Sequence, residues 1–416
     1  HREDDANWVE NGKDDNVHLV RGERETTVEV DIIAKETKLD AGKTARYLMG
    51  LEATPPKRAG TEHRSVVLGE GNREHNWTWS GWRVATGRDS EDGMLYWTSL
   101  VPAHPEKFGS LVKKFKSEGR VVTPYTMPMH ICALGREWDY FYPTWARVPA
   151  ARWDIVEPTT KKKTHVMQCC GNTGAEDWDL GHAKKLFEGF PDLNGVYLDC
   201  SNVEYCRNER HGHGGTDAFG QPFVTSLARS HRDYLLRFVR LCRQHGNRLY
   251  VHAHNKYFPF VHSLADGCMP GEEQTYPYIA NPRTHYQEAI PEAEYQCAWN
   301  CTIRGMGIYA IPQNVRARTL AKETVDKDFD AYLGKIAILG GLPMSGLIYD
   351  FQCMGLFHEY GEPFEDLRRR LKPLKLGAAA FNCAALGGLL IPANQRFDIA
   401  KTLGYGLGMS AGFVLA

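Results

Sequence analysis

The sequence lacks the features that would assign it at once to a membrane or a nucleic-acid partner. None of its apolar runs approaches the roughly 20 residues that a membrane-spanning helix needs. Neither sign of charge prevails, because 50 Lys and Arg residues are matched by 51 Asp and Glu residues, for a net charge of −1. Such a chain has no overall field to attract nucleic acid or an anionic membrane. We therefore expect no membrane span and no nucleic-acid partner.

Short motifs for cofactors and metals are also missing. No Gly-rich phosphate-binding turn opens a predicted helix, and no CxxC pair or HExxH sequence occurs. The eleven cysteines are odd in number and irregular in spacing, so buried free thiols are expected, with one or two disulfides as the alternative. No cofactor and no bound metal are expected. The chain opens on His1 and stops in an apolar run, so we expect it to be processed or trimmed.

What the sequence does contain is a series of short apolar runs that each end on a polar cluster. They are GVYLDCS at 195–201, RLYVHAHN at 248–255, LADGCMPGEEQ at 264–274, MGIYAIPQ at 306–313 and SGLIYD at 345–350. In a barrel of parallel strands and outer helices, catalytic groups lie where the strands end. The repeated ending therefore indicates an enzyme.

Strand-like and helix-like segments alternate along most of the chain. Further strand candidates are 95–101 and 120–126, and helix candidates are 105–118, 180–187, 225–245 and 328–339. This alternation predicts an α/β fold with a (β/α)8 TIM-type barrel. An open doubly wound sheet is less favoured, because no Gly-rich turn begins any of the helices.

The N-terminal region has a different pattern. Residues 26–32 alternate as in a half-exposed strand, a second run follows at 45–53, and Pro55-Pro56 breaks it. We expect part of a β-sandwich domain here. The predicted domains are the end of an N-terminal β-sandwich at 1–60, a catalytic barrel at 61–375 and a C-terminal extension or further domain at 376–416.

Acidic side chains at the strand ends are the catalytic candidates. Asp199 follows its strand directly, and Glu272 and Glu273 follow a Pro-Gly turn. A protonated carboxyl group beside a second carboxylate that stabilises positive charge is what general-acid cleavage of a glycoside needs. The alternatives are a loop-capping role for Asp199 and solvated surface positions for Glu272 and Glu273.

Two His-x-His pairs leave another possibility open. On a strand, His252 and His254 would lie on one face, which suits either a metal or the hydroxyls of a sugar. His211-x-His213, with Cys200 and Cys206 upstream, forms a second possible metal cluster. Pocket or loop histidines are the default interpretation of both pairs.

Aromatic residues are dense between the predicted strands, and amphipathic rings are typical of pocket walls. Core packing is the alternative for some of them. The residues expected to bind substrate are His252, His254, Asp350, Tyr349, Trp79, Trp82, Trp138, Tyr276, Gln313 and His211.

Three of these segments resemble glycoside hydrolase family 123 and its uncharacterised relatives. They are GLEATPPK at 50–57, GVYLDCS at 195–201 with its continuation through His211 to TDAFG at 216–220, and the strand ends from His252 to Asp266 and at Gly271-Glu272. The likeness covers about residues 45–370.

The resemblance implies a β-sandwich followed by a (β/α)8-type barrel, and retaining hydrolysis of β-linked N-acetylgalactosamine. In that family the substrate's own acetamido oxygen attacks, while an adjacent Asp-Glu pair orients it and protonates the leaving oxygen. The equivalent pair here is Glu272-Glu273, so this chain departs from the family pattern by one methylene group. A different specificity, with Asp199 and Glu272 as an ordinary carboxylate pair, stays open.

The predicted function is hydrolysis of a glycosidic bond in an oligosaccharide or polysaccharide by carboxylate acid/base catalysis. The alternatives are a metal-dependent hydrolase built on the His-x-His pairs of the same barrel and a non-catalytic glycan-binding protein. The resemblance also implies a secreted or periplasmic location, and the oligomeric state stays open.

Overall fold

The structure is a computed structural model. A six-stranded parallel sheet and its helices form the largest part of the described chain. The structure describes residues 6–10, 12, 16–47, 49–50, 52–58, 100–102, 105–117, 122–133, 135, 137–156, 163–171, 174–253, 258–272, 280–281, 285–311 and 320–343.

The described strands are short, and most of them end close to a predicted functional segment. They are β1 (Val17–Arg21), β2 (Thr26–Val30), β3 (Tyr125–Thr126), β4 (His130–Cys132), β5 (Arg152–Val156), β6 (Lys163–Gln168), β7 (Gly195–Leu198), β8 (Tyr205–Cys206), β9 (Gly215–Thr216), β10 (Pro222–Phe223), β11 (Thr225–Ser226), β12 (Arg248–Val251), β13 (Gly267–Cys268), β14 (Gly307–Ala310) and β15 (Leu342–Pro343).

Helices connect these strands. They are α1 (Pro105–Ser117), α2 (Glu137–Trp145), α3 (Gly174–Gly189), α4 (Ala228–Gln244), α5 (Pro259–His262), α6 (Glu292–Ala298), α7 (Cys301–Arg304) and α8 (Lys322–Ile338), with 3₁₀ turns at Glu209–His211 and Tyr286–Glu288.

Six of the strands form one parallel sheet in the order β3-β7-β12-β13-β14-β15. The order follows the chain without reversal, whereas a doubly wound sheet reverses its order at a switch point. Strands β7 and β14 are buried at every position, as expected for parallel strands covered on both faces. Among the described residues, β3 and β15 are the two edges of the sheet.

Helix α4 shows how the sequence builds a cover for this sheet. Its residues Tyr234, Leu235 and Phe238 are fully buried and share one face at spacings of three and four residues. They join the same apolar core as Val196 of β7. Gly246, with φ of +69°, adopts the left-handed conformation that follows many helix ends, so the chain turns at once into β12.

A three-stranded antiparallel sheet, β4-β6-β5, lies between β3 and α3 in the chain. The sequence analysis did not anticipate it. Ile131 of β4 belongs to the main core, and Asp179 of α3 adds a polar link, because its Oδ2 accepts a hydrogen bond from the Met129 backbone N–H at 2.9 Å. Met129 has φ of +57°, and this bond fixes the unusual backbone just before β4.

The α/β class and the parallel sheet with helices agree with the prediction, and the helices expected at 105–118, 225–245 and 328–339 are observed. The run at 95–101 is described only at its end, and the strand expected at 345–350 lies outside the described residues. In the N-terminal region the described residues form the hairpin β1-β2, in which β1 was not anticipated. In the described part of the run at 45–53, Met49 forms an isolated β-bridge, and no strand is present.

Two further expectations can be compared with the described part of the chain. The nine cysteines found there form no disulfide with one another, and seven of them are buried, which agrees with the expectation of buried thiols for these residues. None of the helices described has the length and apolarity to cross a membrane.

The buried carboxyl group of Asp179 yields a test of this packing by pH. Burial raises the pKa of Asp179 from 3.8 to about 7, against the lowering effect of its bonds with Met129 and Tyr234. The folded state therefore keeps a proton that the unfolded chain releases near pH 4. The stability from this group is present in full below about pH 4 and is lost as the pH rises to about 7.

Asp179→Asn keeps the acceptor oxygen. We expect this variant to have a higher urea midpoint than wild type when both are measured above pH 7, and the same midpoint when both are measured near pH 4. Urea unfolding at both pH values measures this. Asp233→Asn, at an exposed position of α4, is the control and should change neither midpoint. Equal effects of Asp179→Asn at both pH values would contradict a protonated Asp179.

Candidate functional site

Three polar side chains meet where neighbouring parallel strands end. Asp199 follows β7, His252 follows β12 and Glu272 follows β13. In the register of β7 and β12, Leu198 pairs with Val251, so Asp199 and His252 are the next residues along the two strands. The register continues past the strands, because the His252 N–H donates to the Leu198 carbonyl at 2.9 Å.

The three side chains form a cluster around one imidazole ring. His252 Nδ1 lies 2.6 Å from Asp199 Oδ1, and Nε2 lies 3.8 Å from Glu272 Oε2. The His252 ring is buried, whereas both carboxyl side chains are 15% exposed. Asp199 Oδ1 also accepts a hydrogen bond from the Cys200 backbone N–H at 2.7 Å. The two carboxylates can thus be reached from solvent, and the imidazole between them is held in place.

The backbone before Glu272 admits only glycine. Gly271 has φ of +138°, and a Cβ atom built there would lie 2.1 Å from the Ile311 carbonyl oxygen. This close approach joins the ends of β13 and β14, because the Ile311 N–H donates to the Pro270 carbonyl at 2.8 Å. The Pro-Gly turn noted in the sequence therefore sets where Glu272 leaves the sheet.

Three buried residues, Ser201, His231 and His262, form a hydrogen-bonded group next to the cluster. The Ser201 N–H donates to the His252 carbonyl at 2.7 Å, and Ser201 Oγ lies 2.8 Å from His231 Nε2. His262 Nε2 donates to the Ser201 carbonyl at 2.6 Å. Burial lowers the pKa of His231 to about 3 and that of His262 to about 4, so both rings are neutral at pH 7.

These three supporting residues were missed by the sequence analysis. His231 lies inside helix α4, where its spacing resembles that of a core residue, and His262 lies in α5. No local pattern marks either of them, because their partner Ser201 is distant in the chain.

A pocket opens beside the cluster, on the side of the three-stranded sheet. Its walls come from the start of β4, the end of β6 and the loop that follows Asp199. The lining residues are Pro128, Met129, Gln168, Cys169, Gly171, Cys200, Asn202, Glu204, Leu227 and His231.

A second cluster contains groups that can hold a metal. Cys170, Cys206, His211 and His213 each place one donor atom within 4.8 Å of all the others. The hydrogen bond with Cys170 is the main reason that the pKa of the Cys206 thiol lies well below its usual range. The sequence pointed to His211, His213 and Cys206, but Cys170 takes the place expected for Cys200. Cys200 instead lies next to Asp199 and lines the pocket.

Of the predicted site residues, the structure brings Asp199, His252 and Glu272 together. Trp138 lies on α2, where its ring stacks on Tyr142 at 4.1 Å, and His211 faces Cys206. The other predicted residues lie outside the described part of the chain: Trp79, Trp82, His254, Glu273, Tyr276, Gln313, Tyr349 and Asp350.

Comparison with known proteins gives only distant likenesses. No protein-family model and no curated protein matches the chain. Among solved structures, the chain is similar to a maltogenic alpha-amylase from Thermotoga neapolitana, with 12% identity and a TM-score of 0.36 over 57% of this chain and 49% of that one.

Two further structures show the same level of likeness. An alpha-N-acetylgalactosaminidase from Bifidobacterium bifidum has 12% identity and a TM-score of 0.38 over 59% of this chain and 34% of that one. An alpha-galactosidase from Thermus thermophilus has 12% identity and a TM-score of 0.35 over 71% of this chain and 64% of that one. The aligned parts thus span less than two thirds of each of the three structures. All three structural neighbours are glycoside hydrolases, at low identity, and none of their names connects them with family 123.

The close approach at Gly271 provides a test of how the cluster is positioned. We expect Gly271→Ala to displace the Glu272 backbone, because the new methyl group would overlap the Ile311 carbonyl and alanine disfavours this φ. Loss of stability by about 1–3 kcal/mol should be seen in urea unfolding. Gly42→Ala is the control, because Gly42 also has a positive φ, of +79°, but a Cβ atom there meets nothing within 4 Å, so any difference between the two variants reports the overlap with Ile311. An unchanged midpoint for Gly271→Ala would show that the turn is not constrained.

Proposed function

We propose that this protein is a glycoside hydrolase that cleaves a glycosidic bond of a glycan by carboxylate acid/base catalysis. The observation that carries the proposal is the placement of Asp199 and Glu272 on either side of one imidazole, at the ends of parallel strands. Two carboxyl groups across a cleft are what most glycoside hydrolases use.

In the proposed mechanism, Glu272 donates a proton to the leaving oxygen, and Asp199 faces the positive charge that develops on the sugar ring. Asp199 accepts hydrogen bonds from His252 Nδ1–H and from the Cys200 N–H, and such bonds favour the charged form of a carboxylate. His252 is a positioning residue here, because it holds Asp199 and lies against Glu272.

The pair also suggests a stereochemical outcome. The His252 ring lies between the two carboxylates. Its Nδ1 is 2.6 Å from Asp199 Oδ1, and its Nε2 is 3.8 Å from Glu272 Oε2. Contacts on two different nitrogens of one ring are compatible with the roughly 6.5–9.5 Å that separates the carboxylates of inverting enzymes, which hold a water molecule. We therefore propose that Asp199 activates water and that hydrolysis proceeds with inversion.

The order of the sheet strands supports a closed (β/α)8 barrel as the complete architecture. In such a barrel each strand lies beside the next one in the chain, as β3, β7, β12, β13, β14 and β15 do. The proposed site would then lie at the C-terminal mouth of the barrel. His254, Tyr276, Gln313, Tyr349 and Asp350 would contact sugar hydroxyls there, with Trp79, Trp82 and Trp138 as walls.

The resemblance to family 123 defines an alternative within this proposal. In that case Glu272 and Glu273, without Asp199, would orient the acetamido group and protonate the leaving oxygen, the substrate would be an N-acetylhexosamine, and the configuration would be retained. The two mechanisms therefore differ in substrate, in stereochemistry and in the residue whose loss matters.

The proposed proton donor can be tested directly. After a chromogenic-glycoside and glycan screen finds a substrate, Glu272→Gln should lower kcat on the order of 100- to 10,000-fold, because the amide cannot donate the proton. Its thermal midpoint should stay within a few degrees of wild type. Glu288→Gln, at an exposed site, is the control and should retain activity. Near-normal turnover by Glu272→Gln would refute the assigned role.

The partner carboxylate is tested by the anomer that forms first. Under the proposed mechanism, NMR of early product should show inversion, and Asp199→Asn should lower kcat far more than Glu273→Gln. Retention, together with dependence on the substrate acetamido group and on Glu273, would favour the family mechanism. Glycan binding without release of reducing ends from any substrate would favour a binding protein instead.

A further inference from the structure

The second cluster joins side chains from separate parts of the chain. Cys170 lies just after β6, Cys206 ends β8, and His211 and His213 lie in the turn that follows. Cys170 Sγ lies 3.3 Å from His213 Nδ1, and Cys206 Sγ lies 3.8 Å from His211 Nδ1. Cys170 and Cys206 are fully buried, His213 is 4% exposed and His211 is half-buried, so three of the four donors lie away from solvent.

These distances suit the donor atoms of one small tetrahedral ion. With Zn–S bonds of about 2.3 Å and Zn–N bonds of about 2.0–2.1 Å, neighbouring donors around zinc lie about 3.3–3.8 Å apart. The two measured sulfur–nitrogen distances fall in that range. Two thiolates and two imidazoles are also the softer donors that zinc prefers to oxygen ligands.

The turn between Cys206 and His213 is built to present these groups. The Asn208 backbone N–H donates to Cys206 Sγ at 3.4 Å, and its side-chain oxygen accepts from the Arg210 N–H at 3.1 Å. Gly212, with φ of +74°, then ends the 3₁₀ turn and brings His213 back beside His211.

Asn208 also holds the outer side of the histidine ring. Its side-chain nitrogen lies 3.0 Å from His211 Nε2 and donates to the Ala146 carbonyl at 2.9 Å. Because an amide nitrogen is a donor, Nε2 accepts this bond and the ring proton lies on Nδ1, which faces Cys206 Sγ. Binding of a metal at Nδ1 would move that proton to Nε2 and turn the Asn208 amide away from the ring.

We propose that Cys170, Cys206, His211 and His213 bind one Zn²⁺ ion in a closed, structural site. Four protein ligands leave no position for water or substrate, so this ion has no part in the reaction. Its role is to cross-link the turn that follows β8 to the segment that follows β6. Cys169 and Gly171, on either side of Cys170, line the pocket, so the ion holds one pocket wall in place. This proposal is independent of the glycosidase assignment.

The first measurement is the metal content of the full chain, purified under reducing conditions without chelators. Elemental mass spectrometry should find one zinc per chain in wild type, and Cys206→Ser should lose it. Cys169→Ala is the matched control, because it removes a neighbouring buried thiol that is not in the cluster, and it should retain the zinc. Cobalt in place of zinc should give the visible absorption of a tetrahedral thiolate site.

Further variants keep the test decisive if Cys206→Ser does not fold. His211→Cys should still bind zinc, because three cysteines and one histidine are also a common zinc site, whereas His211→Ala should not. Two outcomes would overturn the proposal: reduced, metal-free wild type that takes up neither zinc nor cobalt, or a Cys170–Cys206 disulfide in the native protein.

Discussion

The parallel register of β7 and β12 is the constraint on which the site depends. Because Leu198 pairs with Val251, the residues that follow are placed side by side, and the carboxylate of Asp199 meets the imidazole of His252 at 2.6 Å. A slip of one residue would send one of these side chains to the opposite face of the sheet, since side chains alternate along a strand. The hydrogen bonds that Ser201 and Leu198 make with His252 continue the same register beyond the strand ends.

Two polar clusters of different chemistry adjoin one pocket, because Cys200 next to Asp199 and Cys169 next to Cys170 both line it. The Asp199 cluster has carboxylates that are partly open to solvent, as a site that binds a ligand needs. The Cys170 cluster is almost closed, and its donors are directed at one another. The first arrangement suits proton transfer and the second suits an ion that cross-links the chain. Both depend on the segment from Asp199 to His213, which leaves the central sheet and packs against the three-stranded sheet.

Much of the fold could be predicted from the sequence. The buried apolar runs and the helical spacing of Tyr234, Leu235 and Phe238 are local patterns, and both were observed as the strands and helices expected. The antiparallel sheet β4-β6-β5 was missed because β4 has only three residues, too few for a period of two, and because one of the two buried positions of β6 is the polar Gln168. In hairpin β1-β2 only β2 was predicted, because Val20 follows Leu19 directly in β1 and breaks the alternation that β2 keeps.

For the site, the sequence by itself determined which residue types stand at the strand ends: an acid after β7, a histidine after β12, and an acid after a Pro-Gly turn. Residue order also brought His211 and His213 close to Cys206. Only the tertiary structure decided that Cys170, and not Cys200, completes the second cluster, and that Ser201 contacts His231 and His262. The reason is physical, because these contacts join segments that are distant in the chain, and packing of the sheets and helices sets them rather than any local periodicity.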